Sequence, residues 1–301
     1  MLGRRQIREK VLQGIYAYNI SKSPVDFVEK RMFQSMYEIY DLYVYELNLL
    51  LAIRDYAANV LEKRKLKRYA TDDEKNPNTK FVSNVVFKMI EDNPLRKEYT
   101  EKHSELLWNH NDNYPAIIFK KFQTSLSYLS YLQNPNASFE EDSKLIQKLF
   151  MKYIAEDTTL YEWVEELKLQ WADDFHIANN MTLKTLKSLW IDKPFNTLIQ
   201  VFKNDEDRDF ARDLFEITVT RYPEFLKIIQ GRSRNWELDR IAELDKIILS
   251  MGFCEFNYFP QIPTKVVINE CIELAKAYST PNSHVFINGI LDKYAKDMGR
   301  I

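Results

Sequence analysis

The chain has 301 residues, of which 42 are lysine or arginine and 44 are aspartate or glutamate, giving a formal net charge of −2. This length allows one large or two ordinary domains, and the near-neutral charge excludes a uniformly basic protein, so any nucleic-acid partner must be held by a local patch. With 45% hydrophobic and 14% aromatic residues the chain is typical of a folded globular protein, and a disordered chain is excluded.

Glycine is scarce and unevenly placed. The chain has six glycines, and none lies between residues 15 and 230. The sequence therefore lacks the G-x-G-x-x-G and G-x-x-x-x-G-K-[ST] loops, in which glycine lets the backbone approach phosphate closely. Sheet proteins need many tight turns that favour glycine, so the same scarcity predicts an all-α fold.

Residues 1–20 are predicted to form one amphipathic helix. Apolar residues recur along one face at helical spacing, among them Ile7, Val11 and Ile15. Three arginines stand at its start: Arg4, Arg5 and Arg8. Guanidinium groups on one first turn make a compact set of phosphate donors, since each can bind two oxygens. The alternative is that they only solvate the end of the helix.

A long helix is predicted from residue 25 to about residue 68. It is apolar nearly all round in its middle, which indicates burial on more than one side. It ends in a run of basic residues: Lys63, Arg64, Lys65, Lys67 and Arg68. Such a run is either a solvated helix end or an auxiliary contact to RNA. The polar, turn-rich segment 71–79 is predicted to be a linker.

Helical patterns recur through the middle of the chain without a convincing repeat period, at about 80–92, 95–109, 115–132, 139–153, 157–176 and 182–202. Their aromatic residues carry enough apolar surface for a core of their own. The cysteines, histidines and carboxylates lack the spacing of a metal or catalytic site, so neither metal nor cofactor is expected. We expect an ordered helical unit with a structural or partner-binding role.

The last hundred residues are predicted to form four helices, at 210–220, 241–256, 265–278 and 283–296. Ser283 and His284 cannot belong to a local catalytic triad, because neighbours on a helix point about 100° apart. Asn288 and Gly289 inside the last helix indicate close backbone packing at the glycine, with the asparagine side chain available to a ligand.

Two patterns near the end of the chain are distinctive. The helix at 265–278 carries Lys-Val-x-Ile-Asn-Glu-x-x-Glu-Leu-Ala-Lys, and the next begins Ser-His-x-Phe-x-Asn-Gly-x-Leu-Asp. These patterns resemble the C-terminal half of the NusB transcription antitermination factors. The opening helix resembles the first helix of that family through Arg4, Arg5, Arg8, Glu9, Gln13 and Tyr16.

The N-terminus lacks the long apolar segment of a signal peptide, and the most apolar stretch, residues 43–61, is interrupted by charged residues, so a cytoplasmic protein without a membrane span is expected. The resemblance implies an all-α, non-enzymatic protein. Its NusB-like core would comprise residues 1–20 and 203–301, interrupted by a helical insertion at 21–202. It would bind single-stranded boxA-type RNA of ribosomal RNA leaders together with the NusE ribosomal protein, in the transcribing RNA polymerase complex. A homodimer is left open. The alternative is a helical protein-interaction scaffold in ribosomal RNA synthesis, whose insertion replaces or covers the RNA face.

The resemblance also implies roles for individual residues. Arg4, Arg5 and Arg8 would contact phosphates of the RNA. Tyr16 and Phe286 would stack on unpaired bases, and polar contacts would come from Ser283 and Asn288. The alternatives are that the two aromatic residues belong to the core and that Ser283 caps its helix. Asp245, expected to be exposed at the start of its helix, would bind the basic ribosomal protein, or would only be a charge favoured by the helix dipole. The sequence departs from the family pattern at Gln6, Asn282 and Val285.

Overall fold

The computed structural model describes residues 1–108, 113–135, 138–232 and 237–300, and within these ranges the chain is helical with no strand. The predicted all-α fold is confirmed. The helices are α1 (Arg4–Ser21), α2 (Val25–Lys65), α3 (Asp72–Lys75), α4 (Val85–Asp92), α5 (Pro94–Lys102), α6 (Tyr114–Phe122), α7 (Leu126–Gln133), α8 (Phe139–Phe150), α9 (Thr158–Leu167), α10 (Leu169–Ser188), α11 (Asp205–Thr220), α12 (Tyr222–Arg232), α13 (Glu243–Tyr258), α14 (Thr264–Tyr278) and α15 (Ser283–Asp297).

The chain divides into two compact units. One comprises residues 37–201 with Met1, and the other comprises residues 2–36 with the chain from Phe202 onward. The sequence-based boundary after residue 20 differs from this division, which falls inside α2 between Met36 and Tyr37. None of the helices in the described ranges is long and apolar enough to cross a membrane.

In the unit containing α1, helix α13 is the centre of the core. It packs against α1, α11, α12, α14 and α15, and every residue from Ile247 to Phe256 is buried. A Cβ on Gly252 would lie 2.8 Å from Cδ2 of Leu291 and 3.2 Å from Sγ of Cys271. Glycine is therefore what lets α14 and α15 approach α13 this closely.

The predicted close packing at the other glycine of this region is wrong. A Cβ on Gly289 would meet no atom within 4 Å, because Gly289 lies on the exposed side of α15. The glycine in the Asn-Gly pair therefore makes no close contact with the described part of the chain.

The unit of residues 37–201 has a core rich in aromatic side chains. Tyr43 and Phe81 are fully buried, and the ring of Phe81 packs against Phe87, Phe119, Phe122 and Tyr128. Helices begin where a short polar side chain accepts a backbone N–H, as Asn93 does before Pro94 at the start of α5. The segment 71–79, predicted to be a linker, contains the four-residue helix α3 capped by Thr71.

Candidate functional site

The arginine-rich start of α1 lies against acidic residues from three other helices. The Nε of Arg4 donates to Oδ1 of Asp207 on α11 at 2.6 Å. Its guanidinium carbon lies 4.3 Å from the ring centre of Phe210, one turn further along that helix. The Arg4 side chain keeps 37% of its surface exposed, so it is anchored on one side and open to solvent on the other.

Arg5 makes a two-point contact with α14. Its Nε and Nη2 donate to the two carboxylate oxygens of Glu270 at 3.0 and 2.9 Å, and Nη1 lies 4.0 Å from Glu273. The hydrogen bonds to Glu270 raise the pKa of Arg5 above its ordinary value. Nearly half of the side chain, 46%, is exposed. Arg5 is thus the most solvent-accessible of the three arginines.

Arg8 is not available to phosphate, contrary to the sequence-based prediction. Its Nε and Nη2 donate to the two oxygens of Glu255 on α13 at 2.7 and 2.6 Å. The Arg8 and Glu255 side chains are 3% and 0% exposed. Burial alone would lower the pKa of Arg8, but the hydrogen bonds and charge of Glu255 outweigh that effect and raise it. We therefore assign Arg8 to holding α1 against α13.

Asp245 and Ser283 are buried together, which corrects two further expectations. Asp245, expected at an exposed helix start, is 6% exposed. Its Oδ2 accepts the hydroxyl of Ser283 at 2.8 Å, and its Oδ1 accepts the hydroxyl of Ser279 at 2.6 Å. These bonds join the start of α13 to the loop before α15. Neither residue is free to contact RNA or a protein partner in this arrangement.

The other RNA candidates lie at the surface. Tyr16 is 41% exposed, and Phe286 and Asn288 on α15 are half-buried. Of the positions that depart from the family pattern, Gln6 accepts the backbone N–H of Gly3 at 3.0 Å, which closes the first turn of α1. Asn282 and Val285 are exposed on either side of the Ser-His pair.

The exposed RNA-binding candidates form two groups, which lie near opposite ends of α13. Helix α1 runs antiparallel to α13, since Asn19 donates to Glu243 at one end and Arg8 to Glu255 at the other. These two acidic residues are about 18 Å apart along the helix. Arg4 and Arg5 lie near the Glu255 end of α13. Tyr16, one turn before Asn19, lies near the Glu243 end of α13.

The α15 candidates belong to that same second group. Phe286 is one turn beyond Ser283, whose hydroxyl bonds Asp245 near the start of α13. The structure therefore places the two stacking candidates toward the start of α13 and the two accessible arginines toward its end.

The partners of the arginines were missed by sequence reasoning. Asp207, Glu255 and Glu270 each hold one arginine, and none was assigned that role. One signal was present for Glu255, which is the single charged residue in the apolar run Gly-Phe-Cys-Glu-Phe. A lone acid within a fully apolar helix segment indicates a buried cationic partner.

Within the described part of the chain, no group of three or more histidine, cysteine or acidic side chains is arranged to hold a metal ion. Cys254 and Cys271 are both buried and free, and burial raises the pKa of the Cys254 thiol to about 12. Both thiols are thus core side chains.

Comparison with known proteins identifies one family. The NusB family model matches residues 173–296, a range that begins inside α10 and includes α11 to α15. The transcription antitermination protein NusB of Myxococcus xanthus is 36% identical over 131 residues, which is 43% of this chain and 90% of that protein. The protein of the same name from Alkaliphilus oremlandii is 33% identical over 129 residues, which is 41% of this chain and 94% of that protein.

A third relative, the NusB protein of Salinibacter ruber, is 43% identical over 97 residues, but the match spans only 61% of its length and 31% of this chain. No solved structure matches the chain. The coverage of the Myxococcus and Alkaliphilus proteins is nearly complete, and their identity to this chain lies above 30%. The chain therefore belongs to the NusB family.

Proposed function

We propose that the protein is a non-enzymatic transcription antitermination factor that binds single-stranded boxA-type RNA together with the NusE ribosomal protein. Support comes from the near-complete coverage of relatives named transcription antitermination protein. Two exposed guanidiniums at the start of α1, those of Arg4 and Arg5, are the phosphate contacts in this proposal.

Fewer residues remain as proposed contacts to RNA or to a protein partner than the sequence suggested. Because Arg8, Ser283 and Asp245 are buried and hydrogen-bonded, we assign them to the fold and not to a partner. The remaining candidates are the two arginines, with Tyr16 and Phe286 as stacking surfaces and Asn288 as a polar contact. We further propose that the unit of residues 37–201 is a structural or partner-binding addition. The protein would contact the transcribing RNA polymerase complex as a member of the antitermination assembly.

The observation that carries this proposal is the exposure of Arg5, which keeps 46% of its side-chain surface open to solvent while Glu270 holds it in place. An anchored guanidinium loses little conformational freedom when it binds phosphate. A phosphate at Nη1 would displace the carboxylate of Glu273, which lies 4.0 Å away.

The test is a titration of fluorescently labelled boxA-type RNA, with and without NusE, over a range of salt concentrations. Replacing both Arg4 and Arg5 with alanine should weaken binding and lower the slope of log affinity against log salt by about 1.4, since each single-strand phosphate contact contributes about 0.7. Arg240→Ala, at an exposed arginine that the proposal does not use, is the matched control and should leave the slope unchanged.

Two results would count against the proposal. An unchanged salt slope in the double variant would remove the arginines from the RNA site. Failure of the wild-type chain to bind the RNA under any condition, with NusE bound normally, would favour the scaffold alternative.

A further inference from the structure

A cavity of about 240 Å³ lies within the unit of residues 37–201 and belongs to no site described above. Apolar and aromatic side chains, among them Leu51, Tyr56 and Trp108, form part of its lining. Two guanidiniums, those of Arg54 and Arg96, also line it. Half of the lining residues are polar or charged, so the cavity combines an apolar wall with fixed polar groups, and its volume suits a small ligand.

Arg96 is a buried cation without a carboxylate partner. It is 7% exposed, and its Nε, Nη1 and Nη2 donate to the backbone oxygen of Ile90, to Oδ1 of Asn48 and to the backbone oxygen of Glu91. All three acceptors are neutral oxygens. Within the described residues, no carboxylate lies within salt-bridge distance of this guanidinium.

The charge of Arg96 is therefore only partly compensated. Burial lowers the pKa of Arg96, Glu91 partly offsets that effect, and the nearby Arg54 adds to it. A guanidinium has five N–H groups, so two remain after the three hydrogen bonds to the protein. Those two groups are donors that a ligand anion would satisfy.

Arg54, the second arginine of the cavity wall, differs from Arg96 because carboxylates bind it. It donates to both oxygens of Glu91 at 2.8 Å and lies 2.7 Å from Asp55, so two carboxylates already share this cation. The four ionised groups around the cavity sum to zero. A ligand with one negative charge suits such a site better than a dianion, because the two carboxylates at the rim would repel added charge.

The aromatic wall is held rigidly. The indole Nε1 of Trp108 donates to the backbone oxygen of Tyr45 at 3.0 Å, and the two rings stack with centres 4.4 Å apart. The Tyr56 ring contacts Phe119 edge-on at 6.0 Å. Fixed aromatic side chains favour a flat apolar body in the ligand.

We propose that this cavity binds a small monoanionic carboxylate that carries a planar apolar ring. The carboxylate accepts the two remaining N–H groups of Arg96, and the ring packs against Trp108 and Tyr56. The site lies entirely within one unit of the chain and is independent of RNA binding at the start of α1.

Calorimetric titration of the full chain with benzoate tests the proposal, with benzamide as the neutral analogue and inorganic phosphate as an anion without a ring. Benzoate should bind at least about tenfold more tightly than benzamide, because a charge-assisted hydrogen bond is lost in the neutral compound. Phosphate should bind more weakly than benzoate.

Two variants and one control locate the binding. Arg96→Met should weaken benzoate binding at least about tenfold. Ala52 lines the cavity and takes no part in the Arg96 hydrogen bonds. Ala52→Phe should therefore occupy much of the cavity and abolish binding without unfolding the chain. Arg240→Met, at an exposed arginine outside the cavity, should leave the affinity unchanged.

Three outcomes would overturn the proposal. The first is absence of benzoate binding to the wild-type chain at millimolar concentrations. The second is an unchanged benzoate affinity in either cavity variant. The third is phosphate binding as tightly as benzoate, which would mean that the ring makes no contribution.

Discussion

At the scale of single residues, the Arg8–Glu255 pair shows how a charge that is expected at a surface becomes part of the core. Both side chains are buried and joined by two short hydrogen bonds. Removing one partner of such a pair leaves an uncompensated charge in an apolar region, which costs more than the pair itself contributes.

We expect Arg8→Met to lower the free energy of unfolding by about 3–5 kcal/mol, because Glu255 would then be buried alone. The double variant Arg8→Met with Glu255→Met should regain most of this loss, since two apolar side chains replace two charges. Urea unfolding measures both. The folded double variant should also bind RNA with the wild-type slope of log affinity against log salt. A reduced slope would show that Arg8 contacts phosphate.

Glu46 gives a prediction of pH dependence. This residue of α2 is fully buried, its Oε2 accepts the hydroxyl of Thr182 at 2.5 Å, and its Oε1 has no hydrogen-bond partner among the residues that the structure describes. Burial raises the pKa of Glu46 well above its ordinary value. The folded state therefore holds this proton at pH values where the unfolded chain has released it.

Because the folded pKa is raised, the stabilising effect of this protonation is fully present below the pKa of the unfolded chain, near 4.3, and is lost as the pH rises through the folded value. We expect wild-type stability to fall relative to that of Glu46→Gln as the pH is raised from about 5 to 8. Urea unfolding at a series of pH values checks this. Parallel curves for the two proteins would show that Glu46 is ionised when folded.

At the scale of helices, α13 depends on the absence of one side chain. Gly252→Ala would place a Cβ 2.8 Å from Leu291 and 3.2 Å from Cys271, both of them buried. Overpacking of this kind costs about 1–3 kcal/mol, which outweighs the higher helix propensity of alanine.

Gly289→Ala is the matched control. This glycine is also inside a helix, but apart from its chain neighbours and its own helix backbone no atom of the described residues lies within 4 Å of its Cβ position. The substitution should stabilise the chain by about 0.5–1 kcal/mol through helix propensity alone. In thermal unfolding, we expect Gly252→Ala to lower the melting temperature and Gly289→Ala to raise it. Stabilisation by both would mean that α14 and α15 can move away from α13 at little cost.

At the scale of the whole molecule, exposed segments without long helices should determine where proteases cut. The segment 71–79 and the segment 189–194 are largely exposed and lack a helix of more than one turn. Limited proteolysis should therefore cut there first among the described residues, and the helices from α8 to α10 should survive. Mass spectrometry of the fragments checks this. Rapid cleavage throughout 139–188 would show that this unit does not hold a stable core.

The sequence predicted the helices well because their signals are local. Apolar spacing, as in Ile7, Val11 and Ile15, and missing glycines both act within a few residues. Whether each candidate side chain is buried or exposed was predicted less well. Arg4, Arg5 and Arg8 share one pattern and each binds an acid far along the chain, yet only Arg8 is buried, because its partner Glu255 lies within the fully buried run of α13. Asp245 was misjudged because its burial depends on Ser279 and Ser283, which lie 34 and 38 positions further along the chain.

The separation of 247 positions between Arg8 and Glu255 has a consequence for synthesis of the protein. At about 5–20 residues per second, Arg8 is added to the chain about 12–50 seconds before Glu255. During that interval its apolar face, with Ile7, Val11 and Ile15, has no α13 to pack against. The first helix to be made can thus reach its folded packing only after α11 and α13 have been made.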